Sequence, residues 1–210
     1  MQETPLTQLG REVRGFSGLF VDANAISPAH AAEVASIVEG AGATYVDGGI
    51  IGSPPPSDST RIYLSGSNAG EAAALFPSEV AVLVLAEGPF SASALKMAYA
   101  AWTKGTAAMM LDVRAMARAN GVETALVEQW VGSSPELLGV GRRAARQAED
   151  RGWRWIGEMA EIASSFTDAG LPGGFHEASG EIYSRVPRKM DATADDETLA
   201  EVVDLLLGHK

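Results

Sequence analysis

The sequence predicts an α/β unit followed by an all-α unit. Three observations carry that reading. Short apolar runs alternate with helical segments over residues 1–88, apolar spacing is helical from Pro89 onward, and Gly88-Pro89 marks the change between them. Gly18 to Asp22 reads as a first strand ending in a carboxylate. Ser27-Pro28 then supplies an N-cap with a proline at the first helical position, and Ala29 to Glu39 carries Ala32, Val34, Ala35, Ile37 and Val38 at helical spacing. Gly40-Ala41-Gly42 ends that helix. Thr44 to Asp47 is a second strand, expected to stop at Gly48-Gly49.

The loop from Gly52 to Thr60 contains three consecutive prolines and cannot be the interior of a strand or helix. Arg61–Ser65 and Val80–Leu85 are further strands, separated by a short helix over Asn68–Phe76. Phe90 to Asn120 follows as one long helix, apolar nearly all round. A helix of that kind is expected to be buried on every face, which predicts a homodimer sharing the burial through residues after Pro89. Gly121 stops it. Five shorter helices are expected at Glu123–Val131, Pro135–Asp150, Trp153–Ala169, Pro172–Val186 and Asp195–Leu207.

Bulk properties narrow the function. The chain has 210 residues and a formal charge of −11, which disfavours nucleic acid and anionic membranes as partners while leaving room for a small anionic ligand. There is no cysteine, so disulfides, thiolate nucleophiles and cysteine-type zinc sites are excluded. The three histidines, His30, His176 and His209, lack metal-ligand spacing, and no metal site is expected. Met1 to Arg14 is polar and has no apolar signal core, and no apolar run approaches the length of a membrane span, so a cytoplasmic protein is expected.

Four segments stand out by order and spacing. They are Val21 to Pro28 (VDANAISP), Tyr45 to Pro55 (YVDGGIIGSPP), Ala94 to Gly105 (ALKMAYAAWTKG) and Trp153 to Ala163 (WRWIGEMAEIA), with Gly170-Leu171-Pro172 and Gly174-Phe175-His176 after the last. Lys96 lies among Leu95, Met97, Ala98 and Tyr99, surroundings that suit a proton-transfer group. The simpler reading is a lysine snorkelling from an interface helix. Gly48, Gly49 and Gly52 allow close backbone approach to an anion, or form an ordinary strand-end turn. Asn24 either lines a ligand or caps the following turn. His176 reads as a local surface residue, and Glu158 with Glu161 as a solvated face. Lys104, eight residues beyond Lys96 and about 80° around the helix, is expected to be a neutral comparison for it.

Together the first three segments resemble the cofactor-side loop, substrate loop and catalytic-lysine helix of the β-hydroxyacid dehydrogenases. The fourth, with the helix of Lys96, is similar to the helical C-terminal domain of a 6-phosphogluconate dehydrogenase-like branch. The resemblance implies that residues 1–88 are the C-terminal half of a Rossmann-type NAD(P)-binding domain and that residues 89–210 are a helical substrate and dimerisation domain. It further implies NAD or NADP as cofactor, Lys96 as the acid/base, Asn24 and Ala25 beside the nicotinamide, and Asp47, Gly48, Gly49, Ile51 and Gly52 on the substrate.

Two positions depart from the family pattern. Ile51 stands where the family often has a carboxylate-binding serine, and Ala100 where an asparagine commonly assists the lysine. No G-x-G-x-x-G turn occurs, so the phosphate-binding motif is absent and about 80 to 100 residues of the family's front half have no counterpart here. The implied function is an NAD(P)-dependent oxidoreductase acting on a small hydroxy acid, carbonyl or imine, as a truncated or split chain that a separate Rossmann-type polypeptide would complete. The alternative is a non-catalytic dimerisation or ligand-binding protein that keeps the fold.

Overall fold

A computed structural model describes residues 5–52 and 59–208. The three prolines of the 52–60 loop, and His209, lie outside the described residues. The chain forms two compact units, one up to Tyr99 and one from Ala100 onward.

In the first unit the elements run α1 (Pro5–Glu12), β1 (Leu19–Asp22), α2 (Pro28–Gly40), β2 (Thr44–Ile51), β3 (Arg61–Ser65), α3 (Ala69–Ala73), β4 (Val82–Val84) and the start of α4 (Ser91–Ala119). The sheet order is β1-β2-β3-β4. β1 is parallel to β2, β2 antiparallel to β3, and β3 parallel to β4. Side chains alternate across this sheet. Tyr45 belongs to a buried cluster with Val34, Ala35 and Val38 of α2, against which Leu6, Leu9, Phe20 and Phe90 pack. Val46 and Leu64 belong to a second cluster with Ala69 and Ala72 of α3. α2 begins as expected, with the Ser27 side chain accepting from the His30 amide.

One element of this unit was not expected and one expectation needs correction. The unexpected element is α1, whose partly buried Leu6 and Leu9 pack against the cluster built on α2. β2 does not stop at Gly48-Gly49 but runs through both glycines to Ile51, paired with β3 throughout from Asp47.

The second unit holds the rest of α4 with α5 (Glu123–Ser133), α6 (Glu136–Asp168), α7 (Gly174–Ser184) and α8 (Asp196–Leu206). α6 is one helix of 33 residues, where two were expected. Gly152, the anticipated break, is a packing position: a Cβ there would lie 3.3 Å from the Tyr183 ring. Arg114 and Arg118 both reach Glu123, and Arg118 also reaches Asp204 and the Ala200 carbonyl, so the end of α4 is tied to α5 and α8. Asp195 caps α8 through the Thr198 amide.

α4 is not buried on every face. Met97, Ala100, Ala101, Ala107, Ala108, Leu111 and Ala115 are buried, whereas Tyr99 (48%), Trp102 (73%), Met109 (45%) and Met116 (57%) are exposed. Leu95, Tyr99, Trp102, Thr106, Met109, Val113 and Met116 follow one another at alternating steps of four and three, the spacing of a coiled-coil seam. Among the described residues no helix is long and apolar enough to cross a membrane.

Candidate functional site

Three of the four sequence segments converge at the two glycines inside β2. A Cβ on Gly48 would sit 2.8 Å from the Asp22 carbonyl oxygen and 3.5 Å from Ala23, so only glycine lets β2 lie this close to the end of β1. A Cβ on Gly49 would sit 2.8 Å from the Ala92 carbonyl oxygen and 3.3 Å from the Lys96 Cβ. Gly49 is therefore the notch into which the first turns of α4 fit. Beyond that notch the Lys96 ammonium donates to the Ile50 carbonyl at 2.6 Å.

The remaining expected residues fall around this point. Asn24 is exposed, and both its amide and its side-chain NH2 donate to Asp22 Oδ1, at 3.0 and 2.7 Å. Ala25 follows, half-buried, before the Ser27 cap. Ile51 points its side chain into the core, while Ile50 beside it is exposed. Gly52 has φ 122°, a left-handed value that favours glycine, as the chain leaves the strand.

Asp47 lies within the strand, and its carboxylate is turned inward and wholly buried. Its Oδ2 accepts from Ser65 Oγ at 2.8 Å and from the Ser93 amide at 2.9 Å, and its Oδ1 accepts from Ser93 Oγ at 2.5 Å. Ser65 Oγ in turn accepts from the Ala92 amide at 3.0 Å. Burial pushes the Asp47 carboxyl above the usual carboxylate range, although the donors from Ser93 and Ser65 pull it back. Asp22, the last residue of β1, is its register partner, so two buried carboxylates stand side by side on neighbouring parallel strands. Burial, reinforced by both carboxylates, pushes the Tyr45 phenol upward and keeps it protonated.

The partners Ser65, Ser93 and the Ile50 carbonyl were not singled out in the sequence. Ser93 carried a faint signal as a polar residue in the first turn of an apolar helix. Ser65 and Ile50 carried none, because their roles depend on strand pairing.

The helical unit holds a separate cluster that also departs from expectation. Lys104 is buried and ion-paired with Glu158, and its ammonium lies 5.4 Å from the centre of the Trp155 ring. Tyr183 packs edge-on to Trp155 at 5.1 Å and donates its hydroxyl to the Lys104 carbonyl at 2.6 Å. Glu158 is thus not part of a solvated face, and Lys104 is no neutral comparison for Lys96. His176 is buried rather than on the surface, 4.3 Å from the Phe166 ring centre and 5.1 Å from that of Phe175. Burial lowers its imidazole pKa and favours the neutral ring. Among the described residues no group of three or more acidic or histidine side chains is placed to hold a metal.

Known proteins give this geometry a context. A conserved hypothetical protein from Sinorhizobium meliloti 1021 superimposes with a TM-score of 0.74 at 20% identity, covering 97% of this chain and 72% of that one. The conserved protein MTH1747, of unknown function and described as structurally similar to 3-hydroxyacid dehydrogenases, gives 0.62 at 24% identity over 85% of this chain and 70% of its own. The chain therefore shares its fold with these two proteins. The Mycobacterium tuberculosis 3-hydroxyisobutyrate dehydrogenase, solved with L-serine, gives 0.59 at 14% identity over 90% of this chain and 69% of its own. Residues 117–186 match a domain of unknown function, DUF1932, and lie wholly in the helical unit. No curated protein matches the sequence. Identities this low make the likeness to the solved structures one of fold.

Proposed function

We propose that this dehydrogenase-like chain supplies the proton-transfer and substrate side of an NAD(P)-linked oxidoreductase acting on a small hydroxy acid, carbonyl or imine. The observation that carries the reading is the Lys96 ammonium, held 2.6 Å from the Ile50 carbonyl beside the glycine notch of β2. In this reading Lys96 gives a proton to the substrate oxygen or nitrogen on reduction, and takes it from the hydroxyl or amine on oxidation. The bond to the Ile50 carbonyl holds the ammonium in place until substrate arrives. The backbone from Gly48 to Gly52 offers the substrate contacts, since the Asp47 and Ile51 side chains both face inward. Asn24 and Ala25, at the carboxyl end of parallel strand β1, occupy the position at which such sheets bind ligands.

NAD or NADP would carry the hydride, but the N-terminus of α2, the described helix that follows parallel strand β1, does not fit its pyrophosphate. Such a site needs free amides at a helix N-terminus behind a glycine-rich turn. α2 instead starts with Pro28, which has no N–H, and its His30 amide is taken by Ser27. This polypeptide alone is therefore expected to bind NADPH or NADH no tighter than roughly millimolar, and a separate Rossmann-type chain is the partner that would complete the site. Calorimetric titration giving micromolar affinity would overturn that part of the proposal. The exposed seam of α4 supports a second association, a homodimer in which two copies lay these stripes together.

The rival reading, a binding protein without redox chemistry, draws on Ala100, where relatives often carry an assisting asparagine. Turnover that falls when Lys96 is removed separates the two readings, because a binding protein has no turnover to lose.

A further inference from the structure

We propose that Asp47, Ser65 and Ser93 form a buried anchor that sets the direction of the Lys96 side chain, with Asp47 acting as a positioning residue. The inference rests on reading Lys96 as the proton carrier. Its physical basis begins at the helix terminus. The first amides of any α-helix have no partner within the helix. In α4 two of them, Ala92 and Ser93, are satisfied from other elements, by Ser65 Oγ of β3 and Asp47 Oδ2 of β2. The Ser93 hydroxyl adds a second link to the same carboxylate. Three hydrogen bonds thus reach Asp47, and a fourth joins Ser65 to the helix, all of them buried. A carboxylate here also faces the positive end of a 29-residue helix.

This anchor governs Lys96 because of where the turn sits. Ala92 and Lys96 are four residues apart on one face of α4, and that face is pressed into the Gly49 notch. The anchor fixes rotation about the helix axis, and the notch fixes depth. A lysine head group stands about 6 Å or more from its helix axis, so each 10° of rotation carries it roughly 1 Å. A displacement of that size is enough to break a 2.6 Å contact with the Ile50 carbonyl. The hydroxyls of Ser65 and Ser93 and the Asp47 carboxylate are therefore expected to act on Lys96 without touching it.

The test reads the lysine itself. The chain has four lysines, Lys96, Lys104, Lys189 and Lys210, so reductive methylation with ¹³C-formaldehyde gives a short list of dimethyl signals. Lys96→Arg assigns the Lys96 signal, and a dimethylammonium still has one N–H for the Ile50 carbonyl. In Ser93→Ala, Ser65→Ala and Asp47→Asn the Lys96 signal should leave its native position and move toward that of free dimethyl-lysine. Lys104 should not move. Ser67→Ala, whose exposed hydroxyl donates to Asn68 outside the anchor, should leave Lys96 unchanged. A Lys96 signal that stays in place in folded Ser93→Ala and Ser65→Ala overturns the proposal, and those two variants decide the matter if Asp47→Asn does not fold. No turnover enters this readout. If Lys96 is not the proton carrier, Lys96→Ala will keep its turnover while the anchor variants still displace the signal.

Discussion

Alanine at Gly49 is the smallest change that presses on the candidate site. Its Cβ would lie 2.8 Å from the Ala92 carbonyl oxygen, where ordinary contact begins at 3.4 Å. The first turn of α4 must then withdraw by about 0.6 Å, since neither a strand paired here with β3 nor a helical carbonyl yields easily. Overpacking of this kind costs about 1–3 kcal/mol, and the entropy alanine removes from the unfolded chain returns about 0.4–1 kcal/mol. The net loss, about 1.3 kcal/mol at the middle of these ranges, corresponds to a fall in melting temperature of roughly 5–10 °C for a unit of this size. Gly48→Ala makes an equally close 2.8 Å contact, but with the Asp22 carbonyl oxygen. Calorimetry should therefore show both variants destabilised, while the dimethyl signal of Lys96 moves much further in Gly49→Ala. An unshifted melting temperature in Gly49→Ala, or equal displacement of Lys96 by both variants, would refute the notch.

Three further expectations concern the rest of the chain. Lys104→Ala leaves Glu158 without its cation and should cost about 3 kcal/mol in denaturant melts, whereas Lys104→Met with Glu158→Leu should recover most of that loss. Glu149 is nearly fully buried, and burial raises its carboxyl pKa, opposed by Lys189. Its stabilising contribution is complete below the unfolded carboxyl pKa of about 4.3 and is lost as pH rises through the elevated folded value. Glu149→Gln should therefore melt higher than the parent at neutral pH, with the gap closing toward about pH 4; a gap that widens on acidification contradicts this. Trp102→Glu should shift sedimentation from dimer to monomer at micromolar concentration, and a parent chain that is already monomeric there removes the coiled-coil seam as an interface.

Much of this fold was legible because its elements announce themselves locally. Ser27-Pro28 fixed the start of α2, and β3 was bounded by Arg61 and Ser65 as read. The errors share a cause, which is tertiary contact overriding local signal. Gly48-Gly49 and Gly152 look like breaks in sequence, yet each glycine is where another element packs closely, too close for a side chain at Gly48 and Gly49 and tight against the Tyr183 ring at Gly152. α4 looked apolar all round because composition does not say which face a chain buries. In the candidate site, Lys96, Asn24 and the glycines could be picked out by motif. Ser65, Ser93 and the Ile50 carbonyl could not, because strand register and helix docking bring them together. Glu158 was misjudged as solvated and Lys104 as a neutral comparison for the same reason, because 54 residues separate the two partners.

Everything proposed for the site turns on Lys96 as the group that moves the proton in a hydride-transfer reaction. It is tested most directly by joining this chain to the nucleotide-binding front half of a related dehydrogenase and following NAD(P)H consumption with small 3-oxo acids, aldehydes and imines. The hybrid should turn over at least one of these. Lys96→Ala should lower that turnover by about 10²–10⁴-fold while leaving melting temperature and cofactor affinity close to the parent's. Equal turnover in the parent hybrid and Lys96→Ala would remove Lys96 as the proton carrier, and no turnover with any of these substrates would leave a binding protein.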